Sequence, residues 1–193
     1  MKDKTKKTGL FGGTFDPIHL GHLITAQSVL LERKLEQIIF MPCFISPHKT
    51  EIGASLPQHR INMVKLAIEG YSSFSFSDYE INKEDISYTI DTIIYLRQFY
   101  DEIELIIGYD SLLNFETWKE PDKILDLAKV LVMKRNSNSG RPNRFFGNVQ
   151  FVDTPAIDIS STEIRQKIRN NLPVNFLLPD NVYKYITENN LYK

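Results

Sequence analysis

From residue 8 to residue 153, short apolar runs, several closed by glycine or proline, alternate with longer stretches of helical period. That alternation constrains the fold more than any other feature. "GLFGG" ends a first strand, and "HLGHLITAQSVLLERKL" continues as a helix with apolar residues at Leu23, Ile24, Ala26, Val29 and Leu30. "EQIIFMP" (36–42) reads as a buried strand stopped by proline, and "PQHRINMVKLAIEG" (57–70) as an amphipathic helix closed by Gly70. The pattern continues with a strand over 74–81, a helix over 87–100 with Ser87 or Thr89 near its cap, and strands over 103–108, 128–135 and 149–153. Helices over 161–170 and 180–189 close the chain. The prediction is an α/β fold: a doubly wound, mostly parallel sheet with helices on both faces, of the Rossmann-like kind. Ligands of such sheets sit beyond the strand C-termini where the winding reverses, which points to the glycine loop after the first strand.

With 193 residues and 42% apolar content, the chain is expected to form a single domain over 1–193. Residues 1–7 read as a solvated tail, 155–193 as a helical C-terminal part, and the Asn-, Ser-, Gly- and Pro-rich stretch at 136–148 as a mobile surface loop. Lys plus Arg (23) nearly balances Asp plus Glu (24), so no global field draws the protein to nucleic acid or to a membrane, and a polyanionic ligand needs a local site. A single cysteine, Cys43, excludes an internal disulfide. No apolar run reaches membrane-spanning length, and a cytoplasmic setting is expected. Homo-oligomer formation is left open.

The densest chemistry lies in "GGTFDPIHLGHL" (12–23). Gly12 and Gly13 let backbone N–H groups approach a phosphate and allow positive φ. Pro17 shapes a turn, and His19 and His22, at i and i+3, share a face of the first helical turn with Gly21 between them. A helix N-terminus attracts anions, and imidazoles beside it can donate to phosphate oxygens as charge builds in a transition state. Metal ligation by the pair lacks a third donor at ligand spacing, and Asp16 beside Pro17 reads as a turn residue, so no protein metal site is expected.

This stretch resembles the T/HxGH signature of the nucleotidylyltransferase superfamily, and "ISSTEIR" (159–165) is similar to its C-terminal ISSTxIR motif. Physical chemistry agrees. Ser160, Ser161 or Thr162 can cap a helix, and Arg165 offers a planar fork for phosphate, while Glu163 needs no role beyond complementing the helix dipole. Within the superfamily the chain most resembles the bacterial nicotinate-nucleotide adenylyltransferases, from about residue 9 to the C-terminus, through "SPHK" (46–49), "SYTIDT" (87–92), "IIGYDSLLNFETW" (106–118) and the closing "YI" and "LY".

The resemblance implies adenylyl transfer from ATP to nicotinate mononucleotide, with Mg²⁺ brought by ATP and no base or enzyme nucleophile. It places Gly12, Gly13 and Thr14 in a phosphate loop touching both substrates, with His19 and His22 on the reacting phosphates. Ser161, Thr162 and Arg165 fall on the triphosphate, and Gly108 and Asp110 on the adenosine. His48 and Lys49 fall on the mononucleotide phosphate, Thr89 near the nicotinate carboxylate, and Trp118 against the pyridine ring. The implied catalytic set is His19, His22, Lys49 and Arg165. Ser46-Pro47 departs from the two prolines the family often has before its His-Lys, and Arg135 and Arg141 have no assigned role. Competing readings are another phosphate acceptor, nicotinamide mononucleotide or phosphopantetheine, and a non-catalytic nucleotide sensor. A dinucleotide-dependent dehydrogenase lacks its Gly-x-Gly-x-x-Gly fingerprint.

Overall fold

The computed structural model describes residues 6–47, 54–133 and 142–193. Six parallel strands form one sheet in the order β3-β2-β1-β4-β5-β6. They are β1 Thr8–Gly13, β2 Gln37–Pro42, β3 Phe74–Phe76, β4 Ile103–Gly108, β5 Lys129–Met133 and β6 Gln150–Val152. Helices α1 (Leu20–Arg33), α2 (Pro57–Ala67), α3 (Tyr79–Asn82), α4 (Thr89–Leu96), α5 (Tyr109–Leu113), α6 (Pro121–Leu127), α7 (Ser161–Arg169) and α8 (Asp180–Glu188) complete the chain. The doubly wound Rossmann-like prediction is met: the winding reverses between β1 and β4, the switch point of such a sheet.

Alternation along the strands builds a core on each face. Leu10 of β1 and Leu105 of β4 pack with Ile90 and Ile93 of α4 and Ile124 of α6. Phe11 and Ile106, the next residues along, pack on the opposite face with Val29 of α1, Val64 of α2 and Val182 of α8. At the N-terminal edge of the sheet Glu104 is buried and accepts a two-pronged bond from Arg33, 2.9 Å from each carboxylate oxygen, and a third contact from Lys7 at 3.1 Å. Burial works to raise the Glu104 pKa, yet the Arg33 and Lys7 bonds hold it below the usual carboxylate range. Lys7 is therefore anchored, and the solvated tail expected over 1–7 does not extend to it.

Three further expectations are corrected. The strand expected over 74–81 stops at Phe76, because the chain turns at Ser77 into the single turn α3, where Tyr79 stacks on Tyr95 at 3.8 Å. The helix expected over 87–100 is Thr89–Leu96, its cap Tyr88 lying between the two residues expected near it, and Ser87 stays outside the helix, its hydroxyl accepting the Phe44 N–H at 2.9 Å. Within 142–148, the described part of the expected mobile loop, Phe145 is buried and Asn143 donates to the Leu112 carbonyl at 2.6 Å. Among the described residues no helix is long and apolar enough to cross a membrane.

Candidate active site

A cleft of about 380 Å³ opens at the switch point, beyond the ends of β1 and β4. It brings together Gly12, Gly13, Thr14, Thr89, Gly108, Asp110 and Trp118, seven of the residues singled out in the sequence. One wall continues β2 and the start of α4 through Cys43, Ser46, Pro47, Glu80, Ser87 and Tyr88, and the other follows β4 into α5. Trp118 leans on Phe115 at 5.1 Å between ring centres, so its position is fixed by a buried aromatic neighbour.

The glycines do not act quite as expected. Neither adopts positive φ, because both are still in β1, paired with Met41 and Pro42 of β2; the left-handed residue is Phe15, at φ 50°. A Cβ on Gly12 would meet nothing within 4 Å, so the protein itself leaves room for a side chain there. At Gly21 the requirement is internal: a Cβ would lie 3.0 Å from His19 Nδ1. Glycine between the histidines is what lets the His19 ring fold back over the first turn of α1.

The two imidazoles stack, ring centres 3.7 Å apart, and the His19 backbone N–H donates to Nδ1 of His22 at 3.2 Å. That bond leaves the proton of a neutral His22 ring on Nε2. His19 is 5% exposed, and its Nδ1 has no hydrogen-bond partner among the described residues. Desolvation pushes its pKa down to about 4, so the free site holds His19 as a neutral ring at pH 7.

The start of α7 is tied to the Asp16-Pro17 turn. Ser160 caps the helix by accepting the Glu163 N–H at 3.1 Å, Ser161 Oγ donates to the Pro17 carbonyl at 2.9 Å, and Arg165 donates to the Asp16 carbonyl at 2.8 Å. Arg165 also reaches Thr162 Oγ1 at 3.3 Å. The second motif thus converges on the loop that leads into the histidine pair. Asp16 is buried and does more than turn the chain: its carboxylate accepts the Ser55 N–H at 3.1 Å and the Tyr192 hydroxyl at 2.6 Å. Burial and the Asp16 charge push the Tyr192 phenol well above its ordinary pKa. His48, Lys49, Arg135 and Arg141 lie outside the described residues.

Sequence reasoning missed Glu80 and Arg60. Glu80 lines the cleft, is buried, and accepts the Thr92 hydroxyl at 2.5 Å; burial pushes its pKa up. The signal for Arg60 was available: it shares the apolar face of α2 with Met63, Val64 and Ala67, an unusual place for a charge.

The cytidylyltransferase-like family model matches residues 10–167. The nicotinate-nucleotide adenylyltransferase of Bacillus subtilis is 39% identical, over 97% of this chain and 99% of that one. The chain belongs to this family. Its fold is also similar to that of the Plasmodium falciparum nicotinic acid mononucleotide adenylyltransferase, with TM-scores of 0.74 and 0.75 to its complexes with APC and with NaAD, at 20% identity and 97% coverage of both chains. The shared architecture therefore extends well past the level at which sequences stay alike.

Proposed function

We propose that this chain transfers the adenylyl group of ATP to nicotinate mononucleotide, giving deamido-NAD and pyrophosphate, in the cytoplasmic synthesis of NAD. The observation that carries this reading is the sequence of features at one switch point: Gly12 with open space above it at the end of β1, a cleft there with a tryptophan on its wall, and, next along the chain, a helix whose N-terminus holds a stacked histidine pair. The relative from Bacillus subtilis, named for this activity and matching nearly end to end, supports the choice of acceptor.

In this mechanism an oxygen of the acceptor phosphate attacks the α-phosphorus of ATP in line. A new O–P bond forms, the bond to the β-phosphate bridging oxygen breaks, and that oxygen leaves with the electron pair as pyrophosphate. A phosphate is already ionised near neutral pH, so the protein contributes position and charge stabilisation rather than a base. ATP enters as its magnesium complex, whose ligands are largely phosphate oxygens and water.

The N–H groups at Gly12, Gly13 and Thr14 face the phosphates. His22 donates from Nε2 to an oxygen of the reacting phosphorus, and His19 assists as a neutral donor rather than as a cation. Arg165, with Ser161 and Thr162, steadies the leaving phosphates, and Lys49 and His48 add charge over the acceptor. Asp110 and Gly108 border the adenosine, Thr89 meets the nicotinate carboxylate, and the Trp118 indole stacks on the cationic pyridine ring, a pairing favoured by the ring quadrupole.

The test is pyrophosphate release from ATP and Mg²⁺ with nicotinate mononucleotide, nicotinamide mononucleotide and phosphopantetheine compared side by side. Preference for the nicotinate form is expected. Preference for another acceptor would overturn the assignments of Thr89 and Trp118, and no release with any would leave a nucleotide sensor.

A further inference from the structure

Arg60 is the largest fully buried side chain among the described residues, 1% exposed. It sits in the first turn of α2, where the helix dipole disfavours a cation, and burial of a guanidinium adds a second penalty. Its described bonds all go to backbone carbonyls: Nε donates to Ser55 at 3.2 Å, one terminal nitrogen to Thr14 at 3.0 Å and Cys43 at 2.6 Å, and the other to Phe44 at 3.2 Å. Thr14 ends the phosphate loop, Cys43 begins the β2-side wall of the cleft, and Phe44 links it to Ser46 and Pro47 farther along that wall. Helix α2 itself could be built with an apolar residue at this position. What needs the planar fork is the junction of those segments, since a single guanidinium can hold several carbonyls at fixed mutual angles and an ammonium cannot.

We propose that Arg60 is a positioning residue for the acceptor: it touches neither substrate and holds the phosphate loop at Thr14 against the Cys43–Phe44 segment in the spacing the mononucleotide requires. Neighbouring bonds make this junction a unit. The Cys43 N–H donates to the Gly13 carbonyl at 3.0 Å, the Phe44 N–H to Ser87 Oγ at 2.9 Å, and the Ser55 N–H to Asp16 at 3.1 Å. Thr14 belongs to the loop that faces both substrates, but the β2-side wall faces the acceptor alone, and the adenosine side, built from β4 and α5, has no described bond to Arg60. Loss of the fork should therefore act unequally on the two substrates. This inference rests on the function proposed above for its kinetic arm and on structure alone for its second arm.

The experiment compares wild type with Arg60→Lys and Arg60→Met. If the junction is correctly spaced only about a tenth of the time in a variant, the KM for nicotinate mononucleotide rises about tenfold while that for ATP stays within about twofold. In parallel, amide hydrogen exchange at Cys43, Phe44 and Ser55 should speed up while amides of β4 and β5 keep wild-type protection. A purely structural role predicts a smaller active fraction with both KM values unchanged, and that result would overturn the proposal, as would a joint rise of both. Failure of both variants to fold would assign Arg60 to the core and overturn it equally. If wild type itself does not use nicotinate mononucleotide, the function proposal fails alone, and the exchange data decide: loosening confined to the three amides upholds the positioning role, and unchanged protection ends it.

Discussion

His19 is neutral in the free protein because burial depresses its pKa from 6.5 to about 4. Between those values the unfolded chain binds a proton that the native chain excludes, so stability rises with pH in that window. The contribution is complete above the unfolded value and is lost as pH falls toward the folded one. Integrating the two titrations from pH 7 to pH 4.5 gives a loss of about 2 kcal/mol, with a steepest slope of about 1 kcal/mol per pH unit near pH 5. The measurement is urea unfolding at half-unit pH steps for wild type and for His19→Gln, which keeps a polar side chain and removes the titration. The gap between the two curves should change by about 2 kcal/mol or slightly more over that range. Other groups move stability nearby and cancel in the difference. Glu104 and Asp91, which burial works to raise and hydrogen-bonded cations hold below the ordinary carboxylate range, lose their contribution at more acid pH, and Glu80, raised by burial, acts in the opposite direction. Parallel curves would refute the argument and show that water already solvates Nδ1.

Several cheaper tests bear on the same site. His22→Ala should lower turnover by about 10²–10³, the usual loss for one transition-state donor, while ATP still binds; near-normal turnover in a steady-state assay would remove His22 from the mechanism. Gly12→Ala should leave the urea midpoint unchanged or slightly raised, since its Cβ meets nothing within 4 Å, yet raise the KM for ATP; an unchanged KM would mean that no phosphate approaches that edge. Glu80→Gln keeps an acceptor for Thr92 and removes a buried charge whose ionisation burial disfavours, so the variant should gain stability relative to wild type as pH rises from 5 to 8 in thermal melts.

How far this molecule can be read from its sequence depends on the reach of each interaction. The histidine pair, Gly21 and the Ser160 cap are made by residues three apart or fewer, so spacing alone exposes them, and the strand-helix alternation needs only neighbours of like polarity. The segment 109–127 is harder. Its short helices α5 and α6 are too brief to nucleate alone and exist because Leu112, Phe115 and Ile124 are buried on the sheet, which local period does not announce. Strand β3 ends early because Tyr79 finds Tyr95, sixteen positions on, a pairing invisible in an alternating string. Arg60 is the extreme case. Its partners are carbonyls of Thr14, Cys43, Phe44 and Ser55, and a carbonyl has no residue identity, so no motif can encode them. The one trace is a charge on an apolar helix face. An arginine there must find its whole solvation shell inside the protein, and in an α/β fold the dense unpaired carbonyls lie where strands stop and loops begin. That is also where this class of sheet binds its ligands. An arginine on the apolar face of the helix that follows the second strand is for that reason a pointer to the ligand cleft that the residue pattern alone supplies, though by an argument about backbone satisfaction and not about catalysis.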